Sequence, residues 1–256
     1  MNKIITDKAE FMTEIAYLYD TICHPCTKER IALYKDVFTA AFQKDSIYVL
    51  DMGCCTGETA LRISDERLHL AGIDISSGMI EEANQKNAAL GNKVNFNVMN
   101  MKELMFEDGS FDIIYSNSLE WIDSKDDLEQ VIKESVRCLK QGGLLLLDFP
   151  DSERYIKTCR PFYAECAPLE DGLIYKLTKY EKSDIGADLE ATQTYIHMSG
   201  LEQYTFTGRL KWKLHTSDEV IEIAKKFNLS YNQTFYDYKV GMEGAFMQMI
   251  FYKGGY

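Results

Sequence analysis

The sequence predicts an α/β protein built on a mostly parallel sheet of seven strands with helices on both faces. Three observations carry this. From about residue 44 to residue 150, short apolar runs alternate with amphipathic helical stretches, the pattern of crossover helices joining parallel strands. The first of these runs, VLDM, ends in an acid and passes at once into the turn GCCTG, where the chain of an open parallel sheet approaches a ligand most closely. After Pro150 the composition shifts to alternating, Tyr- and Thr-rich runs, which read as antiparallel strands with one wet face.

Residues 1–43 read as a helical lid ahead of the core. Residues 44–150 form the core itself. IYVLDM is its first strand and LHLAGIDI its second, followed by a helix that Ser76 or Ser77 can cap and Gly91 can stop. VNFNVM and FDIIYSN are the third and fourth strands. Ser124 opens a further helix with a capping-box-like start, and Leu128, Val131, Ile132, Val136 and Leu139 share its apolar face. Gly142–Gly143 end that helix, and LLLLDF is a fifth strand buried on both faces. Residues 151–215 form a β-rich insertion with strands in GLIYKLTKYE, LEATQTYIHM and EQYTFTGRLKWKL. Residues 216–256 return to the core through a helix with Thr216 and Glu219 as a capping box, then two closing strands, YDYKV and AFMQMIFYK.

With 28 basic and 40 acidic side chains the net charge is −12, which argues against nucleic acid or an anionic membrane surface as a partner. The first residues mix charges of both signs, unlike a signal peptide. The most apolar run, GGLLLLDFP, is too short to span a bilayer and contains Asp148. A cytoplasmic location follows as the expectation, and seven cysteines fit it as free thiols.

Chemistry-bearing residues fall at successive strand ends. Gly53 and Gly57 are four apart, unlike the GxGxxG of dinucleotide sites, and Asp51 before them suits a cationic group better than a pyrophosphate. Asp74 closes the second strand, where a carboxylate can accept both hydroxyls of a ribose. Asn100 and Met101, after the third strand, offer an amide to an adenine edge and an apolar contact to its face.

On these residues the sequence resembles the class I S-adenosylmethionine-dependent methyltransferases of small-molecule type. VLDMGCCTGETA is similar to the family's first motif, GIDISSGMIEEA to the stretch after it, FEDGSFDIIYSNSLEWI to its fourth-strand motif and ESVRCLKQGGLLLLDF to its fifth-strand region. The resemblance implies a Rossmann-like fold that binds S-adenosylmethionine and releases S-adenosylhomocysteine, with no metal. Asp51, Gly53, Cys55 and Gly57 would shape the methionine end. Asp74 would hold the ribose, Asn100 and Met101 would meet the adenine, Ser116 or Asn117 would face the cofactor, and Ile75 and Met79 would also bind it. Cys55 stands where the family usually has glycine and Asn100 where it often has aspartate. Cysteine is small enough to keep the close approach unless that position needs φ > 0.

The reaction is an in-line displacement that needs a base only where the nucleophile must lose a proton. Glu120, after the fourth strand, can bind an ammonium group or take its proton, and His215 is a second base candidate. Tyr19, with Tyr17 as its rival, resembles the lid tyrosine of small-molecule members. Trp121, Tyr204 and Trp212 are candidates for the substrate pocket. Cys23 and Cys26 are either buried thiols or, with Cys159 and Cys166, a soft-ligand set. The expected reaction is N-methylation of a small-molecule amine. O-methylation of a carboxylate or phenol, thiol or metalloid methylation, and a cofactor-binding scaffold without turnover are the alternatives.

Overall fold

The structure, a computed structural model, describes residues 3–23, 26–182, 188–239 and 245–254. Its main sheet is built from β2 (Ile47–Met52), β3 (Leu68–Asp74), β4 (Val94–Val98), β5 (Phe111–Ser116), β6 (Leu139–Pro150), β11 (Leu229–Tyr236) and β12 (Phe246–Lys253). The order is β11-β12-β6-β5-β2-β3-β4. The five strands from β6 to β4 run parallel, while β12 is antiparallel to β6 and to β11. Strand order reverses at β2, so the crevice of the sheet opens at the carboxyl ends of β2, β3 and β5. Helices α3 (Glu58–Ile63), α4 (Ser77–Ala89), α5 (Lys125–Cys138) and α7 (Ser217–Lys226) connect the strands. Two apolar clusters are centred on the sheet: one gathers Leu50, Ile114, Leu128, Leu145 and Met249, the other Tyr34, Val49, Ile80, Ile113 and Leu146.

Capping follows the local chemistry. Ser76 accepts from Met79 N–H, Ser124 from Asp127 N–H and Thr216 from Glu219 N–H, each satisfying a first-turn donor that has no partner inside its helix. Gly91 is left-handed at φ +86°, just past α4. The Thr216 box is only half formed, because the Glu219 carboxylate turns to His215 Nδ1 at 3.1 Å instead.

A second sheet has the order β1-β10-β9-β8-β7. It is made of β1 (Lys3–Ile5), β7 (Phe162–Leu169), β8 (Gly172–Lys182), β9 (Asp188–Ser199) and β10 (Glu202–Lys213), antiparallel except for the parallel β1–β10 pair. The lid comprises α1 (Lys8–Ile15), the short helical turns Ala16–Leu18 and Tyr19–Cys23, and α2 (Lys28–Ala41). A third apolar cluster joins it to the second sheet through Phe11, Leu18, Tyr19, Ile174, Tyr195 and Phe206.

Four expectations need correction. The N-terminal segment is not wholly helical, since Lys3–Ile5 adds an edge strand beside Phe206–Gly208. The insertion also holds α6 (Ser152–Thr158) and β7, which lack clean alternation. Gly142–Gly143 do not end α5, which stops at Cys138. Leu139 already pairs with Phe111, and the pairing is irregular until Leu144 meets Ile113, with Gly142 at φ +74° in between. YDYKV is not a closing strand. Asp237 and Tyr238 have φ of 45° and 63° and form a turn closed by the Tyr236–Lys239 bridge, so the strand is the preceding LSYNQTFY. Val240 lies outside the described residues. No helix among the described residues is long and apolar enough to cross a membrane.

Candidate active site

The turn after β2 is shaped by close packing. Gly53 has φ +74°, and a Cβ there would lie 2.7 Å from the Ser118 side chain beyond β5. Glycine is required on both counts. Cys55 is also left-handed, at φ +50°, so its place in the motif does demand the conformation that glycine adopts freely. A left-handed non-glycine residue costs about 1–2 kcal/mol. The Cys55 N–H donates to Asp74 Oδ2 at 3.0 Å and its thiol to Tyr19 Oη at 3.3 Å, and these bonds hold the strained residue. Glycine would relieve the strain but add about 0.5–1 kcal/mol of chain entropy and lose the thiol contact. Cys55→Gly is therefore expected to stay within about 1 kcal/mol of the parent in denaturant unfolding, whereas β-branched Cys55→Val should lose more than about 2 kcal/mol. Equal losses would show that the backbone angle is not what limits this site.

Three carboxyl groups are buried around the turn. Asp51 Oδ2 accepts from Tyr115 Oη at 2.7 Å, and its Oδ1 is buried without a partner. Burial dominates the environment and pushes its pKa up to about 7, against the Tyr115 hydrogen bond. Asp74 accepts from Cys55 N–H and, at 2.9 Å, from Ser76 N–H; burial still raises its pKa. Each of its oxygens keeps a lone pair for a further donor. Glu120 lies in the helical turn Leu119–Trp121 after β5, with Oε2 buried and unpartnered. Burial, and less strongly Asp148, push its pKa up to about 7.

Above the strand ends is a cavity of about 620 Å³, within the range that holds small ligands and cofactors. Gly53, Cys55, Asp74, Ile75, Asn100 and Met101 line it, as does Trp121. Gly57, at φ +74°, is the N-cap of α3. Asp51, Met79 and Ser116 do not line the cavity and are fully buried side chains, and Ser116 Oγ accepts from Ser118 N–H at 3.3 Å. Asn117 accepts from Ser118 Oγ at 3.3 Å. Tyr19 reaches the turn through Cys55, while Tyr17 is half exposed and its ring meets His197. Trp212 packs edge-on against Trp121 at 5.7 Å, with its indole N–H buried and unpartnered.

Glu120, Tyr19, Asn117 and Trp212 do not line the cavity themselves, and two further predicted residues are held elsewhere. Tyr204 is exposed near the start of β10 and bonds Glu202, because strand alternation at a sheet's open end buries nothing. His215 is buried, bonded to Glu219 and lowered in pKa by that burial, which places it as an anchor of α7. Of the cysteines, Cys26 meets Thr59 and Cys23 meets Tyr195. Among the described residues no three His, Cys, Asp or Glu side chains are grouped to hold a metal.

Sequence reasoning missed the roof. Thr6–Ala9 and Met12 of the lid line the cavity, and the Lys8 ammonium bonds the Trp121 carbonyl at 2.9 Å and the Asp123 carboxylate. No local pattern marks Lys8, whose partners are more than a hundred residues away. Ser118 also lines the cavity, and its signal was the polar run SNS at the end of an apolar strand.

A glycine turn preceded by an orphan acid and flanked by a second acid, on this strand order, is similar to the class I S-adenosylmethionine-dependent methyltransferases. Residues 49–143 match the methyltransferase domain family, and the chain carries that domain. It is 34% identical over 116 residues to a putative methyltransferase, YqeM, of Bacillus subtilis (strain 168), a match covering 41% of this chain and 47% of that protein. The chain therefore spans about half the length of that relative. Among solved structures, an S-adenosylmethionine-dependent methyltransferase from Clostridium acetobutylicum ATCC 824 superposes with a TM-score of 0.79 at 17% identity, covering 94% of this chain and 98% of the other. The sugar N-methyltransferase KedS8 from Streptoalloteichus sp. ATCC 53650 gives 0.74 at 14% identity, covering 99% and 95%. At such identities these structures share the fold.

Proposed function

We propose that the chain transfers a methyl group from S-adenosylmethionine to the nitrogen of a small-molecule amine. The observation that carries this reading is Glu120, a buried carboxyl with one free oxygen and a pKa near 7, beside the cofactor turn. The residues present fit the cofactor. The orphan Oδ1 of Asp51 suits its ammonium group, the spare lone pairs of Asp74 suit its ribose hydroxyls, and Asn100 with Met101 suits its adenine. When bound, the cofactor supplies an electrophilic methyl group on a sulfonium.

The protein's part is then positioning and proton removal. An amine arrives protonated at neutral pH and has no lone pair to give. Glu120 attracts the ammonium and, with a pKa near 7, accepts its proton. The phenol of Tyr19 is fixed by the Cys55 thiol and feels the Glu120 charge, and the lid strap Thr6–Ala9, which lines the cavity, keeps water out. A metalloid held by the protein's own thiolates has less support. Burial raises the Cys23 and Cys55 thiols in pKa, so both stay protonated. A sugar N-methyltransferase with the same fold over 99% of the chain accords with an amine substrate.

The test is calorimetric titration with S-adenosylmethionine and S-adenosylhomocysteine, followed by a homocysteine-release screen over amines, carboxylates, phenols and thiols. The expected result is turnover on amines, rising with pH through about 7 as Glu120 loses its proton. Turnover confined to phenols or carboxylates would overturn the amine reading, and binding without any turnover would favour a scaffold.

A further inference from the structure

A lysine in the first turn of a helix sits at the positive end of the helix dipole and is unfavourable there. Lys8 is such a residue. Asp7 is the N-cap of α1, its carboxylate accepting from Glu10 N–H, and Lys8 follows as the first helical residue. Lysines on a surface normally keep the ammonium in water. This side chain is only 21% exposed, and its ammonium reaches to the turn after β5.

Three contacts from one ammonium join the strap to that turn. It donates to the Trp121 carbonyl at 2.9 Å, pairs with the Asp123 carboxylate and stands 5.9 Å from the centre of the Trp121 ring, within cation–π range. Asp123 is 65% exposed, so the ion pair itself adds little. The carbonyl contact counts for more, because a charged donor makes a hydrogen bond roughly twice as strong as a neutral one. Trp121 closes the helical turn Leu119–Trp121, whose middle residue is Glu120. Lys8, Trp121 and Asp123 all line the cofactor cavity. On the other side the strap continues from β1, a three-residue edge strand whose pairing with β10 ends at Ile5.

We propose that Lys8 is a positioning residue for the methyl transfer: it ties the strap over the occupied cavity to the turn that carries Glu120, so that enclosing the cofactor and setting the base are one event. This deepens the amine-methyltransferase reading and rests on it for the role of Glu120. The charges around Glu120 make the tie measurable. Asp148 of β6 acts to raise its pKa, while Arg30 of α2 and Lys8 of α1 act to lower it. Tyr19, Cys55 and Tyr155 are also within reach of its charge. Arg30 is itself engaged by Asp148 and Tyr238.

The full chain is loaded with S-adenosylhomocysteine, and its release is followed by displacement with S-adenosylmethionine, read from tryptophan emission because Trp121 lines the cavity. Lys8→Met keeps the apolar stem and loses both the bonds and the charge. Release should quicken about tenfold, the size of a lost charge-assisted hydrogen bond. Turnover on an amine should fall by about tenfold to a hundredfold as the base loses its geometry. The rise of rate with pH should also move to higher pH, because a cation that favours the Glu120 carboxylate is gone. A lysine with a merely structural role would leave that midpoint in place. Lys8→Arg, which keeps the charge and the donors, should hold the midpoint at the parent's value. Lys8→Glu suits the helix dipole and should fold at least as stably as the parent, yet it should move release and midpoint further than Lys8→Met does. If Lys8→Met unfolds more readily than the parent, Lys8→Glu decides alone. Parent-like release or a parent-like midpoint in the deciding variant, or a displaced midpoint in Lys8→Arg, overturns the proposal. A parent whose rate does not rise through about pH 7 strikes the Glu120 reading instead; release, which needs no base, still tests the tie.

Discussion

Asp51→Asn is expected to act in opposite directions on stability and on binding. In the ligand-free protein the Asp51 carboxyl is buried, its Oδ1 has no partner, and its pKa is near 7. A carboxyl raised this way contributes stability that is fully present below its unfolded value near 4 and is lost as pH rises through about 7. At pH 8 the parent must bury the charge, and the amide need not. The variant should be more stable by about 2 kcal/mol at pH 8, part of the full effect being offset by an unpaired amide N–H, with little gain at pH 4.5. Denaturant unfolding at both pH values measures this. The same change removes the negative charge that suits the cofactor's ammonium, so affinity for S-adenosylhomocysteine should fall about a hundredfold, the size expected when a buried charged pair loses one member. A variant that is stabilised yet binds normally would mean that the orphan oxygen does not face the ligand.

Glu120→Gln keeps the shape of the side chain and cannot accept a proton. Turnover on an amine should drop by roughly a hundredfold to ten-thousandfold, the range for loss of a positioned general base. Affinity for S-adenosylhomocysteine should stay within about threefold, because Glu120 does not line the cofactor cavity. The rise of rate through about pH 7 should disappear in the variant. Equal losses in turnover and cofactor affinity would place Glu120 in the cofactor site instead.

The parts of this molecule that the sequence made legible are those set by neighbours along the chain. The strands of the parallel core announce themselves as apolar runs, the helix starts as Ser76, Ser124 and Thr216, and the left-handed glycine turn as Asp51-Met52-Gly53. What stayed hidden depends on partners far away. Lys3–Ile5 is a strand only because β10 offers it an open edge, and Tyr238 is a left-handed turn residue whose phenol meets Arg30 of the lid at 2.6–2.9 Å. The left-handed angle at Cys55 was posed by the motif but answered only by the bond to Asp74. Tyr204 and His215 misled for the opposite reason. Their residue types suit a pocket, but one hangs at the open end of a strand and the other is held by Glu219.

The pairing of Lys3–Ile5 with Phe206–Gly208 also bears on how the molecule assembles. The partners are separated by about two hundred residues of chain, and closing so long a loop is entropically unfavourable until other contacts have shortened it. On a ribosome the core strands emerge and can pair long before β10 exists. The segment synthesised about two hundred residues ahead of its partner is therefore among the last to find its place, and it completes the lid only when the molecule beneath it is finished.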